Sequence, residues 1–397
     1  MVKKVLSAHS CYPPFPMETL YIDTPAKLTG LCRRLQGKPW LALDTEFLRE
    51  TTYYPKLCLL QLASDELAAC VDPLALDDLS PLLELLHEPS IVKVFHAARQ
   101  DLEIFLHRWG RIPTPLFDTQ PAAALMGIGD QVGYGALVEH LLDIKLEKGH
   151  ARTDWTRRPL DPQQLEYAYN DVIHLGDVYL KLHAALNHLG RLDWLESDFA
   201  ELADPATYIV EPPEAWKKVK GRQVLRGVQY AVLQRLAEWR EREAVTNDRP
   251  RRRLLSDELM VDLARRMPQG QEQIERLRGM DERDARRWGR QWLALIEEGR
   301  QMPREIWPRE HIPPKLSPQQ EALTDVLSAA LRLIASERKL TPAAIAGRKE
   351  IERLVAGDPK SELLHGWRAA VAGRQLQALL NGQARLELTG GELHFCS

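Results

Sequence analysis

The spacing of apolar positions changes character part-way along the chain. Up to about residue 203, short runs with a period of two alternate with stretches of period 3.6, the mixture of strands and helices that builds an α/β domain. "LYIDTPAKLTGLCRRLQG" reads as a short strand followed by a helix, with Thr24 as its cap and Pro25 at the first helical position. The strand "WLALDTEF" comes next, and "KLCLLQLASDELAACVD" reads as a hairpin of two apolar runs around the polar turn Ser64 to Glu66. "LSPLLELLHE" is predicted helical, "IVKVF" a strand, and "RQDLEIFLHRWG" a helix closed by Gly110. The rest, to about 203, reads as mostly helical, giving an α/β domain whose mixed sheet is built around a hairpin.

Strand signals nearly vanish beyond "DPATYIVEPPEAWKKVKG", where Pro205, Pro212 and Pro213 mark a linker. Helical periodicity with arginine-rich faces covers 221–300, a second Pro-rich break follows, and a further helical block runs from 318 to about 383. Each block has the size of a small helical bundle, and the two share weak similarity, as in a degenerate repeat. The expected division is therefore 18–204, a linker at 205–220, a helical domain at 221–300, a Pro-rich linker at 301–317 and a second helical domain at 318–397. The end, "ARLELTGGELHFCS", is either a small hairpin around Gly390 and Gly391 or a tail.

Composition adds boundaries. A chain of 397 residues, 44% hydrophobic and 27% charged, is folded rather than disordered or fibrous, and two or three domains are expected. No apolar run approaches the length of a membrane span, and the start "MVKKVLSAHSCYPPFPM" is too polar for a secretory signal, so a cytoplasmic location is expected. Five cysteines without a close pair suggest neither a zinc site nor a disulfide framework. The net charge of -3 conceals an asymmetry: residues 1–205 carry 19 Lys and Arg against 29 Asp and Glu, whereas 206–397 carry 34 against 27. A basic half joined to an acidic one fits a polyanionic partner, and equally fits solubility tuning.

The candidate chemistry begins inside a strand. In "LALDTEFLRE" the alternation puts Asp44 and Glu46 on one face, with Leu43, Thr45 and Phe47 on the other. Two carboxylates so placed either reach solvent at the strand end or hold a cation with acids from elsewhere. Asp101 stands in the first turn of the helix after "IVKVF", where ligands collect in an open sheet and where acids also serve the helix dipole. His96 lies just after that strand. In "DPQQLEYAYNDVIHLGDVYLKLHAALNHLG", Asp161, Pro162 and Gln164 specify a helix start. Leu165, Ala168, Val172, Leu175, Tyr179, Leu182 and Leu186 form its buried stripe. Tyr167 and Asp171, four apart, stand beside that stripe on one face. The histidines show no zinc spacing.

"DTE" at 44–46, Asp101 within "HAARQDLEIF", and the Tyr-x-x-x-Asp of Tyr167 and Asp171 resemble the three motifs of the DEDD 3′–5′ exonucleases, in the subgroup with tyrosine in the third motif. With "TYYPKLCLLQL", "FDTQPAAALMG" and "RTDWTRRPL" before "LEYAYNDV", the chain looks like the ribonuclease D family, and its helical blocks look like the paired HRDC domains of that family. The resemblance implies an α/β ribonuclease H-like exonuclease domain with a mixed sheet, followed by two all-α HRDC-like helical bundles. It implies two divalent cations, Mg²⁺ or Mn²⁺. Asp44, Glu46 and Asp171 would hold the ion that carries the attacking water, Asp44 and Asp101 the second, and Tyr167 would orient the water. The implied substrate is RNA, with tRNA precursors and other structured 3′ ends foremost and nucleoside 5′-monophosphates as products, and no obligate protein partner is expected. A DNA exonuclease and an inactive nucleic-acid-binding scaffold are the alternatives. His96, Arg152 and Trp155 are the expected substrate contacts. The loop that carries Arg152, Trp155, Arg157 and Arg158 either stacks a terminal base and steers phosphates or is a surface loop whose tryptophan packs on the domain. "NDRPRRRLLSDE" is likewise either a phosphate-contacting patch or an exposed basic loop.

Overall fold

The structure, a computed structural model, describes residues 17–147, 149, 153–310 and 315–396. The described residues pack into two compact units. One is formed from those of 1–46, 58–204 and 314–397, the other from 47–57 and those of 205–313.

The first unit is organised around a six-stranded sheet of β1 (Glu18–Ile22), β2 (Trp40–Leu48), β3 (Lys56–Ala63), β4 (Leu67–Val71), β5 (Val92–Phe95) and β6 (Leu116–Asp118). Their spatial order is β1-β4-β3-β2-β5-β6. β1 runs parallel to β4, β5 parallel to β2 and to β6, while β3 and β4 pair antiparallel, so the sheet is mixed. The turn predicted at Ser64 closes the hairpin through a bond from its N–H to the Leu67 carbonyl at 2.9 Å. β6 is hidden in the sequence because three residues are too few to show alternation, and its strand character comes from pairing with β5.

Helix α1 (Pro25–Leu35) starts as expected, with Thr24 accepting from the Lys27 N–H. α2 (Ser80–Leu86) precedes β5, and α3 (Arg99–Trp109) follows it and ends on Gly110 in the left-handed region that favours glycine. α4 (Thr119–Leu125) and α5 (Tyr134–Leu142) come next. α6 (Pro162–Ile173) carries the complete capping box of Asp161 and Gln164, and α7 (Leu175–His188) continues the apolar stripe. Along that stripe Ala168, Val172, Leu175, Tyr179, Leu182 and Leu186 are buried.

The helical segment after 317, expected as a second, degenerate HRDC-like helical domain, shares one core with the sheet. Leu327, Leu331 and Ile334 of α8 (Pro318–Arg338) lie in the same cluster as Val94, Phe117 and Val178. The Thr341 N–H donates to the Ala124 carbonyl at 3.0 Å, and Arg191 donates to the carbonyls of Leu125 and Arg338. Trp194 stacks on Trp367 with centroids 4.6 Å apart. Gly127 permits the approach: a Cβ there would lie 2.9 Å from the Lys339 oxygen, and its φ of +73° suits only glycine well. The apolar residues of these helices are buried in part against the exonuclease core. The terminal residues do form a hairpin, Arg385–Thr389 against Glu392–Cys396.

The second unit is helical apart from the segment 47–57. Its core gathers Leu233, Leu236 and Trp239 of α9 (Val228–Thr246), Met260 and Leu263 of α10 (Asp257–Arg266), and Trp292 and Ile296 of α11 (Glu282–Gln301). Among the described residues no helix is long and apolar enough to cross a membrane.

Candidate active site

The end of β2 and one face of α6 build the site. Asp44, Glu46 and Asp171 each offer a carboxylate oxygen within 4.8 Å of the others, and all three are half-buried. Tyr167, one helical turn before Asp171, hydrogen-bonds to it. Asp101, buried in the first turn of α3, stands outside this trio. It accepts a hydrogen bond from the Thr45 hydroxyl of β2 and lies close enough to feel the charge of Asp44.

Electrostatics tie the four acids together. Burial, then the neighbouring charge of Asp171, pushes Asp44 well above the carboxylate range. Burial with Asp44, Asp171 and Asp101 raises Glu46 to about 10. Asp101 is raised by burial and by Asp44, against the stabilising hydrogen bond of Thr45. Burial lifts Asp171 to about 7, opposed by the hydrogen bond from Tyr167. Tyr167 itself is raised by burial and then by Asp171, Glu46 and Asp44. Without a cation these groups retain protons, because ionising all of them would crowd like charges in a poorly solvated space. Every ligand atom in the cluster is a carboxylate oxygen, the donor set preferred by hard divalent cations and not by zinc or copper.

The comparisons with known proteins agree with this chemistry. Residues 20–187 match the family model for 3′–5′ exonuclease, and residues 229–296 match that of the HRDC domain. Ribonuclease D of Gluconacetobacter diazotrophicus is 42% identical over 382 residues, covering 95% of this chain and 96% of that protein. The chain belongs to the ribonuclease D family. Ribonuclease D of Nitrobacter hamburgensis is 40% identical over 94% of this chain and 98% of its own length. The crystal structure of Escherichia coli RNase D, described as an exoribonuclease involved in structured RNA processing, superposes with a TM-score of 0.82 at 32% identity. That match covers 93% of this chain and 99% of the other. Members of the ribonuclease D family are 3′–5′ exoribonucleases of a divalent-metal-dependent nuclease fold, and this chain is such an enzyme.

His96, Trp155 and Arg158 are each engaged by partners within the protein. His96 has both ring nitrogens engaged within the protein, Nδ1 with the Thr119 hydroxyl at 2.8 Å and Nε2 with the Val132 carbonyl at 2.9 Å. Burial lowers its pKa, so the neutral ring is favoured and it acts as a strut. Trp155 is 3% exposed, its ring centroid 6.2 Å from that of Tyr167, so its indole packs on the domain as one of the two readings of its loop has it. Arg152 lies outside the described residues. Arg158, a candidate for steering phosphates, is instead bidentate to Asp72 at 2.5 and 2.7 Å and donates to the carbonyls of Cys58 and Trp155. It pins the Trp155 loop to the sheet.

Two further residues support the site without standing out in the sequence. Asp118 is buried and accepts from the N–H groups of Ala97, Ala98 and Gln120, all at 2.9 Å. It thereby holds the turn before α3, where Ala97 has an unfavourable φ of +60°. Its one local signal is an Asp before a helix in "FDTQ". Tyr134 donates to the Asn170 carbonyl at 3.1 Å and feels the charges of Asp171 and Asp44; nothing in local spacing marks it.

Proposed function

We propose that the chain removes nucleoside 5′-monophosphates one at a time from RNA 3′ ends. Asp44, Glu46 and Asp171 hold one divalent cation and Asp44 with Asp101 a second, Mg²⁺ or Mn²⁺ in each case. The observation that carries this reading is the all-carboxylate cluster of Asp44, Glu46 and Asp171, whose raised pKa values mark a site in want of positive charge. Bound there, such ions supply an activated water and neutralise charge on the leaving 3′ oxygen. Tyr167, held protonated by its surroundings and donating its proton to Asp171, orients the water through its oxygen, which accepts a hydrogen bond from it, and does not serve as the base. Trp155 backs the Tyr167 ring and fixes its direction. Asp101 is kept from swinging away by Thr45, so its role depends on that hydroxyl.

Transfer RNA precursors and other structured RNA 3′ ends are the substrates we assign, in line with the description of the Escherichia coli relative, and the cytoplasm is the location. The second helical block is taken as a degenerate HRDC-like bundle. The decisive experiment is 3′-end shortening of a 5′-labelled RNA with Mg²⁺ or Mn²⁺. Asp44→Ala and Asp171→Ala should each lower the rate at least about a thousand-fold, since losing metal-based charge stabilisation costs several kcal/mol of barrier. Undiminished shortening by both folded variants would refute the site, and preference for the matched DNA strand would redirect the substrate.

A further inference from the structure

Of the buried side chains on β3 from Leu57 to Ala63, Gln61 is the only amide, and nothing in the chemistry above uses it. It is 0% exposed, and both its Oε1 and its Nε2 are without a hydrogen-bond partner among the described residues. With Leu60 and Leu62 on either side, an apolar side chain at this position would leave no polar atoms unmet in the core. The sheet decides where the amide lies. Trp40 and Ala42 of β2 share one core cluster with Ala63 of β3 and Ala68 of β4, so these residues stand on one face. Alternation extends that face to Asp44 and Glu46 on β2 and to Gln61 on the neighbouring β3. In the antiparallel pairing with β4, Gln61 is opposite Cys70, and Cys70 feels the charges of Asp171 and Glu46. The unmet amide is therefore rooted on the sheet face that carries the acids.

Among the acids the lack is complementary. Asp44 accepts from the Thr45 backbone N–H, Asp101 from the Thr45 hydroxyl and Asp171 from Tyr167. Of the four, Glu46 alone has no hydrogen-bond donor among the described residues. We propose that Gln61 is a positioning residue for the metal site, its Nε2 donating to the carboxylate of Glu46 and so aiming that side chain at the cation. A ligating carboxylate gives one oxygen to the ion, and unless the other is held it turns about its soft terminal torsion. An amide supplies that hold without adding charge. A lysine or arginine in its place would neutralise Glu46 and compete with the cation, and a further carboxylate would add to the crowding of like charges.

Since this role rests on the metal site proposed above, metal binding itself is the readout. Mn²⁺ is titrated calorimetrically into the metal-free full chain as wild type, Gln61→Met and Gln61→Asn, and the Tm of each metal-free protein is recorded. Methionine keeps the length of the side chain and removes the amide, whereas asparagine keeps the amide on a shorter stem. Gln61→Met should hold Mn²⁺ at least about ten-fold more weakly, as expected when the hydrogen-bond partner of a metal ligand is lost. Its metal-free Tm should be no lower than that of wild type, because two unmet polar atoms leave the core. Gln61→Asn should fall between the two in affinity, and with saturating RNA the rate of Gln61→Met should climb toward that of wild type as Mn²⁺ is raised. Equal Mn²⁺ affinities in all three proteins would overturn the proposal, and so would a lowered Tm of Gln61→Met at unchanged affinity, the mark of an amide that serves only the core. Wild type that binds no Mn²⁺ would remove the metal site and this role with it, whereas equal binding by wild type and Gln61→Met strikes Gln61 alone and leaves the site standing.

Discussion

Asp44 and Glu46 stand on one face of a strand because side chains alternate, and that alone is enough to single them out. What alternation cannot give is the partner of Thr45, on the other face of the same strand. Its hydroxyl reaches Asp101 across 56 positions of sequence. Tyr167 carries a prediction of its own: Tyr167→Phe keeps the ring against Trp155 and removes the hydroxyl, so kcat should fall about a hundred-fold with KM little changed. Single-turnover and steady-state kinetics on one RNA check it. The acids predict a pH dependence of stability. Glu46 goes from an ordinary 4.5 unfolded to about 10 folded, and Asp171 from 3.8 to about 7. The metal-free folded state therefore binds more protons than the unfolded one across those windows, and its stability falls as pH rises through them. Added divalent cation reverses the loss, so the gain in Tm on adding Mg²⁺ or Mn²⁺ should be larger at pH 8 than at pH 5. Calorimetry with and without chelator measures it, and a gain independent of pH would contradict the assignment of these acids as ligands.

At the scale of elements, the helix starts are legible because capping is local: Thr24 before α1 and Asp161 with Gln164 before α6 satisfy donors within three residues. β6 and the Asp118 clamp on the turn before α3 are not, since both exist only where β5 and the segment from Leu116 to Gln120 meet. The join between β2 and α7 is equally nonlocal. A Cβ on Gly176 would run into Cη2 of Trp40, at the start of the strand that carries Asp44 and Glu46. Gly176→Ala should therefore cost about 1–3 kcal/mol through overpacking, despite alanine's better helix propensity. Chemical denaturation decides between the two effects, and a stabilised variant would show that Trp40 can move aside.

For the whole molecule, the family relationship accounts for the order of exonuclease and helical segments, and the core they share is built by contacts distant in sequence. Because Leu327, Leu331 and Ile334 share a core with Val94 and Val178, ending the chain at residue 313 should leave an exposed apolar face on the sheet side. Such a truncated protein is expected to aggregate or to lose its cooperative thermal transition; a soluble fragment with the wild-type Tm and activity would show that the shared core is dispensable. From the residues alone, the strands, caps, α/β class and the five motif residues can be read, because periodicity, capping and carboxylate chemistry act over a few positions. Their assembly depends on contacts distant in sequence: the meeting of Asp171 with Asp44 and Glu46, the turning of Trp155 inward to Tyr167, and the fusion of α8 with the exonuclease core. Those choices belong to the tertiary structure, since apolar burial and charge crowding are settled only when every neighbouring surface is in place.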